Sequence, residues 1–171
     1  IGMQLGWERR NLVLGPVHWP ADAFHPFPQL DISARRKLTF VTSGYTGNLS
    51  GGIARLMADL APALARRGHE VRVITQSSGQ STVDFESGVW VHRVATSGDV
   101  QDGVAPDAMR HIDAFATAAA SELARIAEWS HHDLVFGPLW DVEVLGALRR
   151  VLAPVVVHIA TPAAIAADMS G

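Results

Sequence analysis

Leu38-Thr39-Phe40-Val41-Thr42-Ser43 leads through the turn Gly44-Tyr45-Thr46-Gly47-Asn48-Leu49-Ser50-Gly51-Gly52 into a helical pattern, and Glu70-Val71-Arg72-Val73-Ile74-Thr75 follows. The two flanking runs are apolar and β-branched. Between them Ile53, Leu56, Met57, Leu60 and Leu64 recur at helical intervals, and the pattern stops at Arg66-Arg67-Gly68. Strand, glycine-rich turn, helix and strand together form a βαβ unit of a parallel sheet. The expected fold class is therefore α/β, a Rossmann-like three-layer domain with a parallel sheet.

Ser50 is placed to cap the helix, and Gly51 and Gly52 expose backbone N–H groups at its positive end, where a nearby anion gains about 0.3–1 kcal/mol. That geometry suits a phosphate. The alternative is that two glycines merely let the first helical turn pack closely on the sheet. A mononucleotide P-loop needs Gly-Lys-Ser/Thr after the turn, whereas Gly52 is followed by Ile53-Ala54. A dinucleotide fingerprint wants an acidic residue ending the second strand, which here ends Ile74-Thr75-Gln76. A nicotinamide- or methyl-donor-binding enzyme is left as a remote third reading.

The run from Phe40-Val41-Thr42 through Ser50-Gly51-Gly52-Ile53-Ala54-Arg55 to Arg67-Gly68-His69-Glu70-Val71 resembles the opening of group 1 (family 4) glycosyltransferases of the GT-B fold. The resemblance covers about Leu38 to Pro162. It implies the N-terminal, acceptor-side domain of a retaining enzyme, with Gly51 and Gly52 against the diphosphate of a nucleotide-sugar donor. That donor is a substrate, so neither a cofactor nor a metal is expected. In the family the donor is held chiefly by a second Rossmann-like domain carrying two glutamates separated by seven residues. No glutamates in this chain have that spacing, so a C-terminal GT-B domain is an expected partner, and the 171 residues alone are expected to be inactive.

Length and composition agree with a single core-forming domain. Residues 1–36 contain Trp7, Trp19, Phe24 and Phe27 among prolines but no sustained period, and read as an irregular extension before a domain over 37–171. The start lacks the order of a secretory signal, and no stretch approaches the ~20 apolar residues of a membrane span. No basic, aromatic-interleaved patch marks a nucleic-acid binder. Cysteine is absent, which excludes disulfides and thiolate metal sites and fits the cytoplasm.

Val83-Asp84-Phe85-Glu86 and Val89-Trp90-Val91-His92-Arg93-Val94 alternate around Ser87-Gly88, a hairpin pattern that places His92 on a solvated face. A long helix is expected from Pro106-Asp107 to about Trp129, with His131 and His132 as favourable charge at its C-terminal end. Asp133-Leu134-Val135-Phe136 reads as a buried strand, and Gly137-Pro138-Leu139-Trp140-Asp141 turns from it into a helix from Val142 to Leu152. Ligands of open α/β sheets gather at the C-terminal ends of strands. Trp140, Asp141 and Glu143 stand there and, with Tyr45, are the acceptor-binding candidates: the indole offers a flat face to a pyranose and the carboxylates accept from its hydroxyls. The alternative has Asp141 cap the helix, with Glu143 in its first turn.

The strand Val155-Val156-Val157-His158-Ile159 leads to Ala160-Thr161-Pro162, where many relatives read Leu-His-Thr-Pro with the histidine near the reacting centre. His158 lies two residues earlier, on the same face of the strand but roughly 6–7 Å further back. It is the catalytic candidate. Ala160 in place of the family histidine equally supports a glycosyltransferase-like docking module without catalysis.

Overall fold

The computed structural model describes residues 34–46, 51–96, 107–139, 142–150 and 152–159. The chain divides between Ala34 and Arg35 into two compact units. Everything described below belongs to the second. The expectations for residues 1–33, for Asn48 and Ser50, for Trp140 and Asp141, and for Ala160 to Pro162 lie outside the described residues, as do the side chains of 107–113.

Six strands form one sheet: β1 (Lys37–Val41), β2 (Glu70–Ser77), β3 (Thr82–Glu86), β4 (Val89–Ala95), β5 (Leu134–Pro138) and β6 (Val155–His158). Their order is β3-β4-β2-β1-β5-β6, with β3 antiparallel to β4 and every other pairing parallel. The helices are α1 (Gly51–Arg66), α2 (Asp107–Ala127) and α3 (Leu145–Arg150). The mixed, mainly parallel sheet with its helices is the Rossmann-like arrangement that the βαβ pattern predicts. After β1 the chain moves to β2 on one side, and β5 returns on the other. The crevice over the C-terminal ends of β1 and β5 is thus the topological switch point, where open α/β sheets bind ligands.

The two faces of the sheet bury separate clusters. Phe40, Tyr45, Met57, Ala61, Val71, Val73, Val89 and Val91 pack on the α1 side. Val41, Ile74, Phe115, Leu123, Ile126, Val135 and Val144 pack on the α2 side. Fully burying side chains such as Met57, Leu123 and Ile126 contributes about 1.5–3 kcal/mol each. At the hairpin, Ser87 (φ 51°) and Gly88 (φ 85°) are both left-handed, the two-residue turn whose twist matches that of its strands.

Two histidine expectations are corrected. His92 is buried rather than solvated, its Nδ1 2.6 Å from Glu122 Oε1, because α2 covers β4 on the face that the alternating pattern assigns to water. His131 is exposed near Asp133, but His132 is buried, with Nδ1 2.8 Å from Thr39 Oγ1 and Nε2 3.0 Å from the Leu123 carbonyl. A carbonyl only accepts, so Nε2 carries the hydrogen and Nδ1 accepts from the threonine in the neutral ring. Burial lowers the His132 pKa, and the Leu123 hydrogen bond only partly opposes it.

A definite acid sensitivity follows. The unfolded chain binds a proton at His132 as pH drops below about 6.5 while the folded chain still resists it, so stability falls from there downward. Burial pushes the Glu122 carboxyl up, but hydrogen bonds from Arg125 and His92, together with their charges, outweigh it and bring the pKa to about 2 from 4.5. Stability from Glu122, roughly 2–3 kcal/mol, is present above pH 4.5 and disappears as pH falls towards 2. Urea unfolding at a series of pH values should show both limbs, and His132→Gln should flatten only the upper one. An upper limb that persists in that variant would place the titration elsewhere.

Candidate functional site at the switch point

The loop after β1 is fixed from both sides of the crevice. Thr42 donates its N–H to the Ile74 carbonyl (3.0 Å) and its hydroxyl to the Gly44 carbonyl (3.1 Å). The Ser43 N–H donates to Glu143 Oε1 at 2.6 Å, and the Ser43 carbonyl accepts from Thr75 Oγ1 at 3.2 Å. Thr75 is buried in β2, and Glu143 is 4% exposed just beyond β5. One backbone position is thus gripped by a side chain from each neighbouring strand segment, directly over the switch point.

Glu143 reaches Ser43 because the chain after β5 does not enter a helix at Val142, as the sequence suggests. Val142 is left-handed (φ 50°), its N–H bonds to the Leu139 carbonyl, and the Leu145 N–H bonds to the Val142 carbonyl. Two successive turns carry Glu143 and Val144 inward, and α3 spans only Leu145–Arg150. Glu143 therefore precedes the helix and points into the loop frame. Beneath it, Gly137 leaves room that Val144 fills: a Cβ there would stand 2.4 Å from Val144 Cγ1 and 2.7 Å from the Val41 carbonyl oxygen.

Tyr45 is 2% exposed, within the α1-side cluster. Burial first, and the Glu86 charge second, push its hydroxyl up to about 12 against the opposing Arg93 charge, so the phenol stays protonated throughout the physiological range. Its expected contact with an acceptor finds the ring inside the core, bracing the loop. Thr46, next to it, bonds to Glu86 and Arg93 of the hairpin.

Gly51 and Gly52 are exposed at the start of α1. A Cβ at either glycine meets no described atom within 4 Å, so close packing on the sheet is not why these positions lack side chains. Gly51 sits at φ +87°, a conformation that side chains rarely adopt. The first helical turn contains no acidic residue, so no carboxylate within that turn offsets the positive end of the helix dipole. His158 ends β6, paired with Pro138, two strands away from β1 or roughly 10 Å along the sheet. It is partly buried beside Phe136, with ring centroids 6.2 Å apart, and its Nδ1 has no hydrogen-bond partner among the described residues.

The structure places Tyr45 and Glu143 at the loop after β1, Gly51 and Gly52 at the start of α1, and His158 at the end of β6. Sequence reading missed Ser43, Thr75, Thr46, Glu86 and Arg93. Their partners are strand neighbours and loop residues 7 to 100 positions away, and no short motif connects them.

The mainly parallel sheet with its helices and switch point defines a Rossmann-like α/β domain. Residues 51–170 match the model of the glycosyl transferase 4-like domain, and the chain belongs to that family. Among solved structures, a UGT2 from Phytolacca americana, complexed with UDP-2fluoro-glucose and pterostilbene, is similar at 15% identity and a TM-score of 0.52, over 76% of this chain and 31% of its own. Sucrose-phosphate synthase from Thermosynechococcus elongatus is similar at 16% identity and a TM-score of 0.46, over 73% of this chain and 32% of its own. The C-terminal domain of a hydrogenase from Pyrococcus furiosus is similar at 15% identity and a TM-score of 0.44, over 77% of this chain and 95% of its own. The chain spans under a third of the length of the two glycosyltransferase-fold neighbours. Curated protein sequences yield no match. The domain is a glycosyltransferase-like domain of the GT-B type. No helix among the described residues is long and apolar enough to cross a membrane.

Proposed function

We propose that this domain is the N-terminal, acceptor-side half of a retaining glycosyltransferase that moves a sugar from a nucleotide-sugar to an acceptor hydroxyl. The observation that carries the reading is the exposed start of α1: Gly51 and Gly52 are clear of described neighbours and the first helical turn has no acidic residue, while Ser43 is held over the switch point. As the bond from the anomeric carbon to the diphosphate breaks and the bond to the acceptor oxygen forms, negative charge collects on the leaving diphosphate, whose oxygen takes up the acceptor's hydroxyl proton. Backbone N–H groups at a helix terminus stabilise charge there without reorganisation. Positioning and leaving-group stabilisation supply the catalysis, and no protein nucleophile is required. His158 remains the catalytic candidate and Trp140 and Asp141, with Tyr45 and Glu143, the acceptor-binding candidates, Glu143 and Tyr45 also holding the loop after β1. The nucleotide-sugar is a substrate, and no cofactor or metal enters the reaction. The donor's base and sugar rest chiefly on a second GT-B domain. The cysteine-free composition favours a cytoplasmic setting.

Calorimetric titration of the full-length gene product with UDP-glucose and GDP-mannose tests this reading, with Gly52→Trp as the partner experiment. The expected result is binding of one donor class, weakened at least about ten-fold by the indole placed over the helix terminus. A well-folded full-length protein that binds neither donor would move the assignment to the second reading. That reading is a glycosyltransferase-like docking module, favoured by Ala160 where relatives carry a histidine. A paired-glutamate α/β domain in the same reading frame supports the enzyme; an unrelated domain there supports the module.

A further inference from the structure

The strand order leaves β3 at one edge of the sheet, paired with β4 alone. The Ser87-Gly88 turn holds two left-handed residues, so Glu86 and Val89 on either side of it exchange both backbone hydrogen bonds. Asp84 and Thr82 repeat that inward pairing opposite Val91 and Arg93. The N–H and C=O groups of Val83 and Phe85 therefore point away from β4, along the free edge of the sheet.

The side chains of β3 divide between two faces. Val83 stands opposite His92 and Phe85 opposite Trp90, on the face where His92 meets Glu122 of α2. The helix does not cover this face out to the edge: Val83, Phe85 and Trp90 are 49%, 60% and 45% exposed, and the Phe85 and Trp90 rings lie 4.8 Å apart. On the other face Arg93 bonds both carboxylates of the strand, Asp84 at 2.8 Å and Glu86 at 2.6 Å. Proteins commonly keep an edge strand single with lysine or proline, and β3 contains neither.

We propose that β3 pairs antiparallel with β3 of a second copy of this chain, about a two-fold axis at Asp84. In that register Val83 of each copy meets Phe85 of the other as a pair that exchanges both backbone hydrogen bonds, so every outward group of these residues is satisfied. The two apolar rows join into one stripe with a Trp90 at either end. A slip of one residue would set these outward groups against groups already turned to β4, and would bring Val83 and Phe85 onto the face of the carboxylates. A slip of two leaves Val83 or Phe85 facing itself, with Ser81 or the turn residue Ser87 opposite the other. The chain's own strand is thus the complement of this edge. The same register sets Asp84 against Asp84, a like-charge contact that the Arg93 of each copy offsets only in part. A five-residue edge is also small beside the roughly 1,200–2,000 Å² of a stable interface, so the expected dissociation constant is about 50–500 µM. Neither β1 nor β5, which frame the switch point, takes part.

Sedimentation velocity of the 171-residue chain from about 5 to 500 µM tests the pairing, with thermal unfolding of each variant as the check on folding. Wild type should pass from monomer to dimer over that range, and amide exchange in 82–86 should slow with it. Phe85→Lys, at an exposed position, should weaken the dimer at least about ten-fold, while Val156→Lys, exposed on β6 at the opposite edge, should leave it unchanged. Asp84→Asn removes the like charges at the axis and should tighten the dimer about three- to ten-fold, an effect specific to this register. A wild type that stays monomeric throughout would overturn the proposal, even if Asp84→Asn dimerises, because Asp84 would then be the charge that keeps the edge single. A dimer that Val156→Lys weakens as much as Phe85→Lys, or that Asp84→Asn loosens, would overturn it as well.

Discussion

Gly137→Ala is expected to lower the unfolding free energy by about 2–3 kcal/mol. The added Cβ would meet Val144 Cγ1 at 2.4 Å and the Val41 carbonyl oxygen at 2.7 Å. The second contact decides the size of the effect. Val144 is β-branched, 1% exposed and packed in the α2-side cluster, so it has little rotamer freedom to yield. The Val41 oxygen belongs to the backbone of β1, which is paired on both sides in the sheet centre and cannot retreat without disturbing both ladders.

Alanine also restricts the unfolded chain, a gain of about 0.4–1 kcal/mol that the clash outweighs. Gly52→Ala supplies the contrast. Its Cβ meets no described atom within 4 Å and lies in a helix, so the same change there should be neutral or stabilising by up to about 1 kcal/mol. Denaturant unfolding of the two variants checks the pair. If Gly137→Ala unfolds within 0.5 kcal/mol of wild type, the Val142–Val144 turn is free to lift off the sheet. The rigid frame described for the site would then not exist.

The same comparison shows where sequence reading succeeds and where it stops. The β-branched runs around Phe40 and Val73 identify themselves because both faces of a central parallel strand are buried and most positions are apolar or β-branched. The Ser87-Gly88 turn is legible because a two-residue left-handed hairpin demands such residues. His92 misleads for the same physical reason that makes parallel strands readable: alternation indicates a wet face only where no helix lies on top, and α2 lies on β4. The start of α3 misleads because an uninterrupted Val-Glu-Val-Leu run gives no hint that Val142 takes a left-handed conformation.

In the site, Gly51 and Gly52 are visible in the sequence, but their purpose is not. Close packing and anion binding predict the same two residues, and that no described atom lies near their missing Cβ atoms weighs against the first. The remaining site frame depends on contacts between residues 32 to 100 positions apart, namely Thr75 to Ser43, Glu86 to Thr46 and Glu143 to Ser43. Each joins common polar residues far apart in the chain. Such contacts are products of strand order, which local patterns do not encode.

Glu143→Ala is expected to destabilise the domain by about 2–4 kcal/mol and to loosen the loop over the switch point. The carboxylate is 4% exposed and accepts the Ser43 N–H at 2.6 Å, a charge-assisted bond across the crevice between β1 and the chain after β5. Alanine removes the acceptor and leaves a cavity, so a backbone donor loses its partner in a place that its own strand cannot satisfy. Glu143→Gln keeps an oxygen of nearly the same size in reach and should cost only about 1–2 kcal/mol, the difference between a charged and a neutral acceptor. The separation between the two variants measures the clamp. Unfolding free energies should rank wild type, glutamine and alanine in that order, and hydrogen exchange at Ser43 should accelerate most in alanine. A carboxylate whose work is to receive acceptor hydroxyls would show the reverse: full stability in both variants with activity lost. Glu143 holding Ser43 predicts instead that function declines only as far as the loop loosens, so Thr75→Val, which frees the other side of Ser43, should impair the protein in the same way and to a smaller degree.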